Sequence, residues 1–318
     1  MSRWVLALDV GGTKAESALV NSNGIILSTS RSRLATGRQI TEAQFARVIG
    51  ELIASTLGHL GDSDLSGVGI ASAGPISLTA GSVSPLNLPH INGFNIVRMV
   101  DEQLKLHGLG VPVILRGDGA AIVLAEHWKG VGQNVRNLMS VVVSTGIGAG
   151  VIVDGHLVSG ASGNAAHLGA VEVAGLTGED TYGAAGTLEA IASGPHTVAW
   201  AQRAGWSGTD GAALRHAYGE GDPIAVDAVR RTGHAIGQAI ASAASLFDLE
   251  LVTIGGGFAN VTPDLIELIR EPVARHHFPF VRAVRVERSP LLDDGPLIGA
   301  AALIHRPDFL PTTTKVLT

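Results

Sequence analysis

The chain carries one local plan twice. Near its start, the apolar run Trp4–Val10 passes into Asp9-Val10-Gly11-Gly12-Thr13-Lys14, and Ala15–Val20 returns. In the second half, Leu138–Ser144 passes into Thr145-Gly146-Ile147-Gly148-Ala149-Gly150 and returns through Val151–Val153. A buried strand, a glycine turn with hydroxyl side chains and an antiparallel return strand, placed alike in both halves, predicts two related lobes around a cleft. Glycines after a strand leave backbone N–H groups open to anions. One such turn alone can also be a plain hairpin. Two together can clamp the phosphates of one nucleotide. The G-x-x-x-x-G-K-[ST] loop is absent, so this is a different phosphate grip.

Strands and helices alternate through the rest of the chain, which makes the class α/β. Further strands are expected at Gly24–Thr29 (through an Asn21–Gly24 hairpin), Val68–Ala71, Val111–Leu115, Leu251–Ile254 and Val284–Val286. Helical spacing predicts Thr41–Leu57, with Phe45, Val48, Ile49, Leu52 and Ile53 on one face and Thr41 as cap. Further helices are expected at Ile96–Leu106, Ala120–Trp128, Pro223–Leu246, Gly299–Ile304 and Thr262–His276, the last capped by Thr262.

Composition narrows the function. The chain has 318 residues, 46% hydrophobic and 16% charged, so it buries a core. Its 42 glycines are roughly twice the usual ~7%, with no low-complexity run to absorb them. A net charge of −6 gives no basic field for nucleic acid. The absence of cysteine excludes disulfides, a thiol nucleophile and cysteine zinc ligands, and fits a cytoplasmic enzyme. The opening apolar run is too short for a signal peptide, and Leu138–Val153 is too short to span a bilayer, so no membrane partner is expected.

Four constellations can carry chemistry. Asp9 at a strand end can hold hydrated Mg²⁺ beside Gly11 and Gly12, with Thr13 and Lys14 adding a hydroxyl and a cation. Ser144, Thr145, Gly146 and Gly148 form the second phosphate turn. Gly255-Gly256-Gly257 ends a strand where bulky side chains would collide with a flat ligand; close packing of a helix explains it equally well. Asp118, in Arg116-Gly117-Asp118-Gly119-Ala120, suits either a helix cap or a general base, and the residues alone favour the cap. On the same footing His167 is a structural histidine bonded to backbone, and His276-His277 a helix end.

In this order the four resemble the ROK family of sugar kinases, from about Trp4 to Ile304. The resemblance implies an actin-like ATPase (ribonuclease H-like) fold. It implies an N-terminal lobe over 1–117 closed by the C-terminal helix 296–318, and a C-terminal lobe over 118–295 that also dimerises. It makes Asp118 the catalytic base. Asp9–Lys14 and Ser144–Gly150 become the two phosphate motifs, and Ile254–Gly257 the adenosine motif, with ATP and Mg²⁺ as cofactors. Gly74, Asn87, Asp118, His167 and Glu189 become sugar contacts. The sequence departs from the family at several points: Gly117 replaces an Asn, and the four zinc-ligand positions hold Ala170, Asp180, Tyr182 and Thr187, so no structural zinc is expected. His167 in place of the usual Glu, with Ser84-Pro85-Leu86-Asn87-Leu88 and Glu189–Gly194, is similar to the bacterial N-acetylmannosamine kinase branch. That implies transfer to the 6-hydroxyl of N-acetylmannosamine by a homodimer. The alternatives are a glucokinase or other hexose kinase, and a non-catalytic sugar sensor.

Overall fold

The computed structural model describes residues 3–176 and 186–311. These pack as two units. One comprises the described parts of Met1–Gln133, Gly155–Ala166 and Asp293–Thr318; the other comprises those of Asn134–Asp154 and His167–Leu292.

The first unit opens with β1 (Arg3–Val10), β2 (Lys14–Asn21), β3 (Ser32–Ala35), α1 (Glu42–Leu57) and β4 (Asp64–Ser72). It continues through the short β5 (Ile76–Ser77) and β6 (Ser82–Val83) to α2 (Ile96–Leu106), β7 (Val113–Gly117) and α3 (Asp118–Lys129). Its main sheet runs β3-β2-β1-β4-β7. β1 pairs with β2 antiparallel and with β4 parallel, and β4 pairs with β7 parallel. The unbroken apolar stretches of β1 and β4 belong to strands covered on both faces. Val5–Leu8 are fully buried. The Thr41 cap holds, as a reciprocal box with Gln44. Phe45, Ile49, Leu52 and Ile53 of α1 enter the core, while Val48 is only half-buried.

One expected strand is absent. Gly24–Thr29 forms only an isolated bridge, Val20 to Ile26, then a 3₁₀ turn over Ser28–Ser30, and the third strand follows at Ser32. The Asn21 side chain causes this by accepting from the N–H groups of Asn23 (2.9 Å) and Ile25 (3.0 Å), which tightens the turn beyond a simple hairpin.

The second unit contains β8 (Leu138–Val143) and β9 (Ile147–Val153); the two-residue β10 (His156–Leu157) lies in a segment of the first. Then come α4 (Leu188–Ala192), α5 (Gly194–Arg203), α6 (Gly211–Gly219), α7 (Pro223–Phe247), β11 (Leu251–Gly255), α8 (Leu265–Ala274), α9 (Pro279–Arg282) and β12 (Arg285–Arg288). The order β9-β8-β11-β12 repeats β2-β1-β4-β7, with the same antiparallel first pair and parallel remainder. α8 starts at Leu265 rather than Thr262, because the Thr262 hydroxyl accepts from the nearby Asp264 N–H (3.3 Å) instead of capping a longer helix. His276 and His277 fall just past its end.

α10 (Gly295–His305) closes the first unit and lies against β4 and α3. A Cβ at Gly299 would fall 1.8 Å from the carbonyl oxygen of Ala121, and one at Gly69 1.8 Å from that of Ala300. Two glycines thus set the spacing of strand, helix and helix. This packing keeps α3, and Asp118 with it, in the first unit; the division falls after Gln133 rather than near Gly117. Among the described residues, no helix is long and apolar enough to cross a membrane.

Candidate functional site

In the first unit, three loops at the ends of parallel strands come together. The β1–β2 turn is closed by the Gly11 N–H donating to the Lys14 carbonyl at 2.9 Å. Thr36 braces it: its hydroxyl donates to the Gly11 carbonyl (2.9 Å), and its N–H donates to that of Thr13 (3.0 Å). No sequence signal marked Thr36. Gly12 lies against Asn87, since a Cβ there would be 2.5 Å from the Asn87 Nδ2. The Asn87 loop is tied to Gly74 by the Leu86 N–H donating to the Gly74 carbonyl (3.2 Å). Asn164 spans the next residues, accepting from the Ile76 N–H and donating to the Ile76 carbonyl, both at 2.8 Å. Gly12, Gly74 and Asn87 therefore form one neighbourhood.

Asp9 sits on β1 opposite Glu16 of β2. Glu16 is buried and ion-paired with Lys14 (3.6 Å), Arg33 (2.7 Å) and Arg31. The amine of Lys14 is thus directed to Glu16. The Asp9 carboxyl is pushed up to about 7, first by burial, then by the charges of Asp118 and Glu16, which Lys14 and Arg33 only partly offset. Asp118 is the first residue of α3, after β7, with Gly117 at the cap position. Its Oδ1 accepts from the adjacent Gly119 N–H at 2.7 Å. It is therefore not the helix cap that its residue type favours. A Cβ on Gly117 would meet open space, so the family's Asn is missing here for no steric reason.

This carboxylate pair fits Mg²⁺. Its oxygens are hard donors, and the negative charges of Asp118 and Glu16 act on Asp9 beside the effect of burial, a repulsion that a divalent cation would relieve. Among the described residues no cluster of three or more acids or histidines could hold a metal alone. A hydrated ion completed by phosphate oxygens suits such a sparse set.

In the second unit, a pocket of about 650 Å³ joins the two glycine motifs. Ser144, Thr145, Gly194, Gly257 and Phe258 line it, with Gly211 and Arg215 of α6 and the preceding Asp210. Gly257 reaches the pocket, whereas Gly255 is the last residue of β11 and Gly256 serves the backbone. Gly256 has φ +96°, and a Cβ there would fall 2.4 Å from the Val143 carbonyl. The second glycine turn is shorter than the glycine spacing suggests. It closes with the Ser144 N–H donating to the Gly146 carbonyl (2.9 Å), while Gly148 pairs with Val142 inside β9. Asp210, Gly211 and Arg215 escaped sequence reasoning because an Asp-Gly before a helix reads as an ordinary cap. Asp210 is indeed one, accepting from the Ala213 N–H at 2.8 Å.

Glu189 bonds to the second turn, its Oε2 accepting from the Ile147 N–H at 2.7 Å. His167 precedes a 3₁₀ turn over Leu168–Ala170; its ring is exposed and makes no hydrogen bond among the described residues. The backbone-bonded histidine expected from the residue type alone is not what forms. Of the zinc-ligand positions, Ala170 is exposed and Thr187 caps α4 through the Ala190 N–H (3.4 Å). Asp180 and Tyr182 lie outside the described residues.

Comparison with known proteins identifies the family. The ROK family profile matches residues 5–307. A glucokinase of Thermotoga maritima is 31% identical over 316 residues, covering 94% of this chain and 96% of its own. An N-acetylmannosamine kinase of Escherichia fergusonii is 30% identical over 302 residues, covering 94% and 97%. The solved ROK glucokinase of Streptomyces griseus, in complex with glucose and AMPPNP, superposes with a TM-score of 0.79 at 26% identity, covering 95% of this chain and 99% of its own. With both glycine turns, the repeated sheet and Asp118 in place, the chain belongs to the ROK family and has its actin-like α/β fold.

Proposed function

We propose that this ROK sugar kinase transfers the γ-phosphoryl group of ATP to the 6-hydroxyl of N-acetylmannosamine. The observation that carries the acceptor is His167. Its imidazole is exposed and free of intramolecular bonds among the described residues, at a place where the family resemblance implies Glu. A carboxylate only accepts hydrogen bonds, whereas a neutral imidazole offers one donor and one acceptor. The donor suits the carbonyl oxygen of an N-acetyl group.

The residues divide the work. Asp118 accepts the proton of the attacking hydroxyl as the O–P bond forms, and Asn87 with Gly74 orients the sugar. The backbone N–H group of Gly12 faces phosphate oxygens, as do those of Thr145 and Gly146, while the N–H groups of Gly11 and Ser144 close the two turns. The pocket bounded by Gly257 and Phe258 takes the adenosine. Mg²⁺, held through water by Asp9, would neutralise phosphate charge when bound. Positioning and electrostatics supply the catalysis, since a loose phosphoryl transition state asks for little covalent help.

The similarity to glucokinase keeps a hexose kinase as the second reading. An ADP-release assay over a panel of hexoses and N-acetylhexosamines decides between them. N-acetylmannosamine is expected to exceed glucose at least about tenfold in kcat/KM, the size of one well-placed polar contact. Equal rates would favour the hexose reading. Turnover of no sugar by protein that binds ATP would favour a sensor. The oligomer is proposed to be the family's homodimer, which sedimentation would test.

A further inference from the structure

We infer that Glu189 is a positioning residue for the nucleotide turn, in addition to any contact with sugar. The inference rests on the kinase reading for the identity of the ligand, but its geometry does not. Glu189 is the second residue of α4, a five-residue helix whose start is fixed by the Thr187 side chain. Its Oε2 takes the Ile147 N–H at 2.7 Å. At the other end of the same segment, the Gly194 N–H donates to the Ser144 carbonyl at 2.9 Å. Both ends of the Ser144–Ile147 turn are thus held by Glu189–Gly194, and only the Glu189 bond comes from a side chain.

The carboxylate is also wedged in place. A Cβ at Gly146 would lie 2.6 Å from Oε2, and one at Gly169 3.4 Å from the same oxygen. Gly169 belongs to the 3₁₀ turn that follows His167, and its own Cβ would strike the Ile147 carbonyl at 2.2 Å. One oxygen therefore touches the phosphate turn and the sugar-recognition loop together. Oε1 makes no hydrogen bond among the described residues and remains available to a sugar hydroxyl. A hydrogen bond from an amide to a carboxylate is about twice as strong as one between neutral groups. A turn held in its binding shape beforehand spends less affinity on ordering itself. Removing the carboxylate should then weaken nucleotide binding even with no sugar present, which a residue serving only the sugar would not do.

The test measures AMPPNP binding with excess Mg²⁺ and no sugar, by calorimetry, for wild type, Glu189→Ala and Glu189→Gln. Hydrogen exchange at the Ile147 amide is read in parallel on nucleotide-free protein. Glu189→Ala should bind AMPPNP about tenfold more weakly, the usual worth of one bond to a charged acceptor. Exchange at Ile147 should rise by about as much, while amides of β11 keep their protection and report an intact fold. Glu189→Gln, whose carbonyl can accept the same N–H, should restore binding to within about threefold. Unchanged nucleotide affinity and exchange in both variants, with loss confined to sugar KM, would overturn the inference and leave Glu189 a sugar ligand. Equal nucleotide loss in Ala and Gln would overturn it too, since charge and not the hydrogen bond would then be responsible. If wild type binds no AMPPNP, the kinase reading falls, and the Ile147 exchange rates alone still decide whether Glu189 holds the turn.

Discussion

Asp118→Asn separates the two uses of that side chain. The amide oxygen can still accept from the Gly119 N–H, so the start of α3 should be undisturbed. What goes is the proton acceptor. Turnover should fall roughly 10²–10⁴-fold, the usual contribution of a general base, with AMPPNP affinity nearly unchanged. His167→Ala should lower kcat/KM for N-acetylmannosamine by about 1–3 kcal/mol, the cost of a lost polar partner, and leave nucleotide affinity alone. Steady-state kinetics beside calorimetry would check both; a loss of nucleotide affinity in His167→Ala would remove it from the sugar side. Asp9, Gly11 and Gly12 stand out in the sequence because strand, glycine and carboxylate occur within a few residues, whereas Asp118 reads as a cap and became a candidate base only through the family resemblance. Asn87 and Gly74 were named only through the family resemblance, since their meeting with Gly12 joins loops some sixty to seventy-five residues apart. Thr36 and Arg215 gave no sign, because a threonine after a strand and an arginine on a helix are commonplace.

Among elements, α10 meets β4 and α3 with backbone against backbone at Gly69 and Gly299. Gly299→Ala and Gly69→Ala should each cost about 1–3 kcal/mol, the range for overpacking where no side chain can yield. Urea unfolding of each variant would measure it, and an unchanged midpoint would mean that α10 can shift. The same region carries an acid-sensitive pair. Burial pushes the imidazoles of His127 and His305 below their ordinary value of 6.5. The His305 Nε2 contacts the Val20 carbonyl (3.1 Å), and the His127 ring lies 4.4 Å from that of Phe309. A lowered folded-state value means that the folded protein resists protonation. The stabilisation is complete above the ordinary value and drains away as pH falls through it toward the folded one. Thermal stability should therefore decline from pH 7 toward pH 5, and His305→Gln, which keeps a donor for Val20, should flatten that decline. Element identity was readable from periodicity except at α4, α5, α6 and α9. The missing strand after Asn21 was not, because one side chain accepting two N–H groups overrode a favourable strand composition.

Over the whole molecule, the repeated glycine turn foretold a repeated sheet, and the β2-β1-β4-β7 order recurs as β9-β8-β11-β12. The boundary was less visible because it depends on which helix packs against which strand. Purified protein is expected to carry far less than one zinc per chain and to keep its unfolding midpoint in a zinc-selective chelator, given Ala170 and Thr187 at ligand positions. Stoichiometric zinc by elemental analysis would contradict this. The chain passes from one unit to the other after Gln133, Asp154, Ala166 and Leu292, so the first unit is completed only by α10. A ribosome releases residues in order. The second unit is fully synthesised while β4 and α3 still await the helix that covers them, and Asp118 belongs to the unit that must wait. A nascent chain stalled after Leu292 should then resist protease in the described parts of Asn134–Asp154 and His167–Leu292 and be cut within the first unit, Gly155–Ala166 included. Catalytic competence would then wait until α10 has left the exit tunnel, making activity itself a readout of synthesis past residue 305.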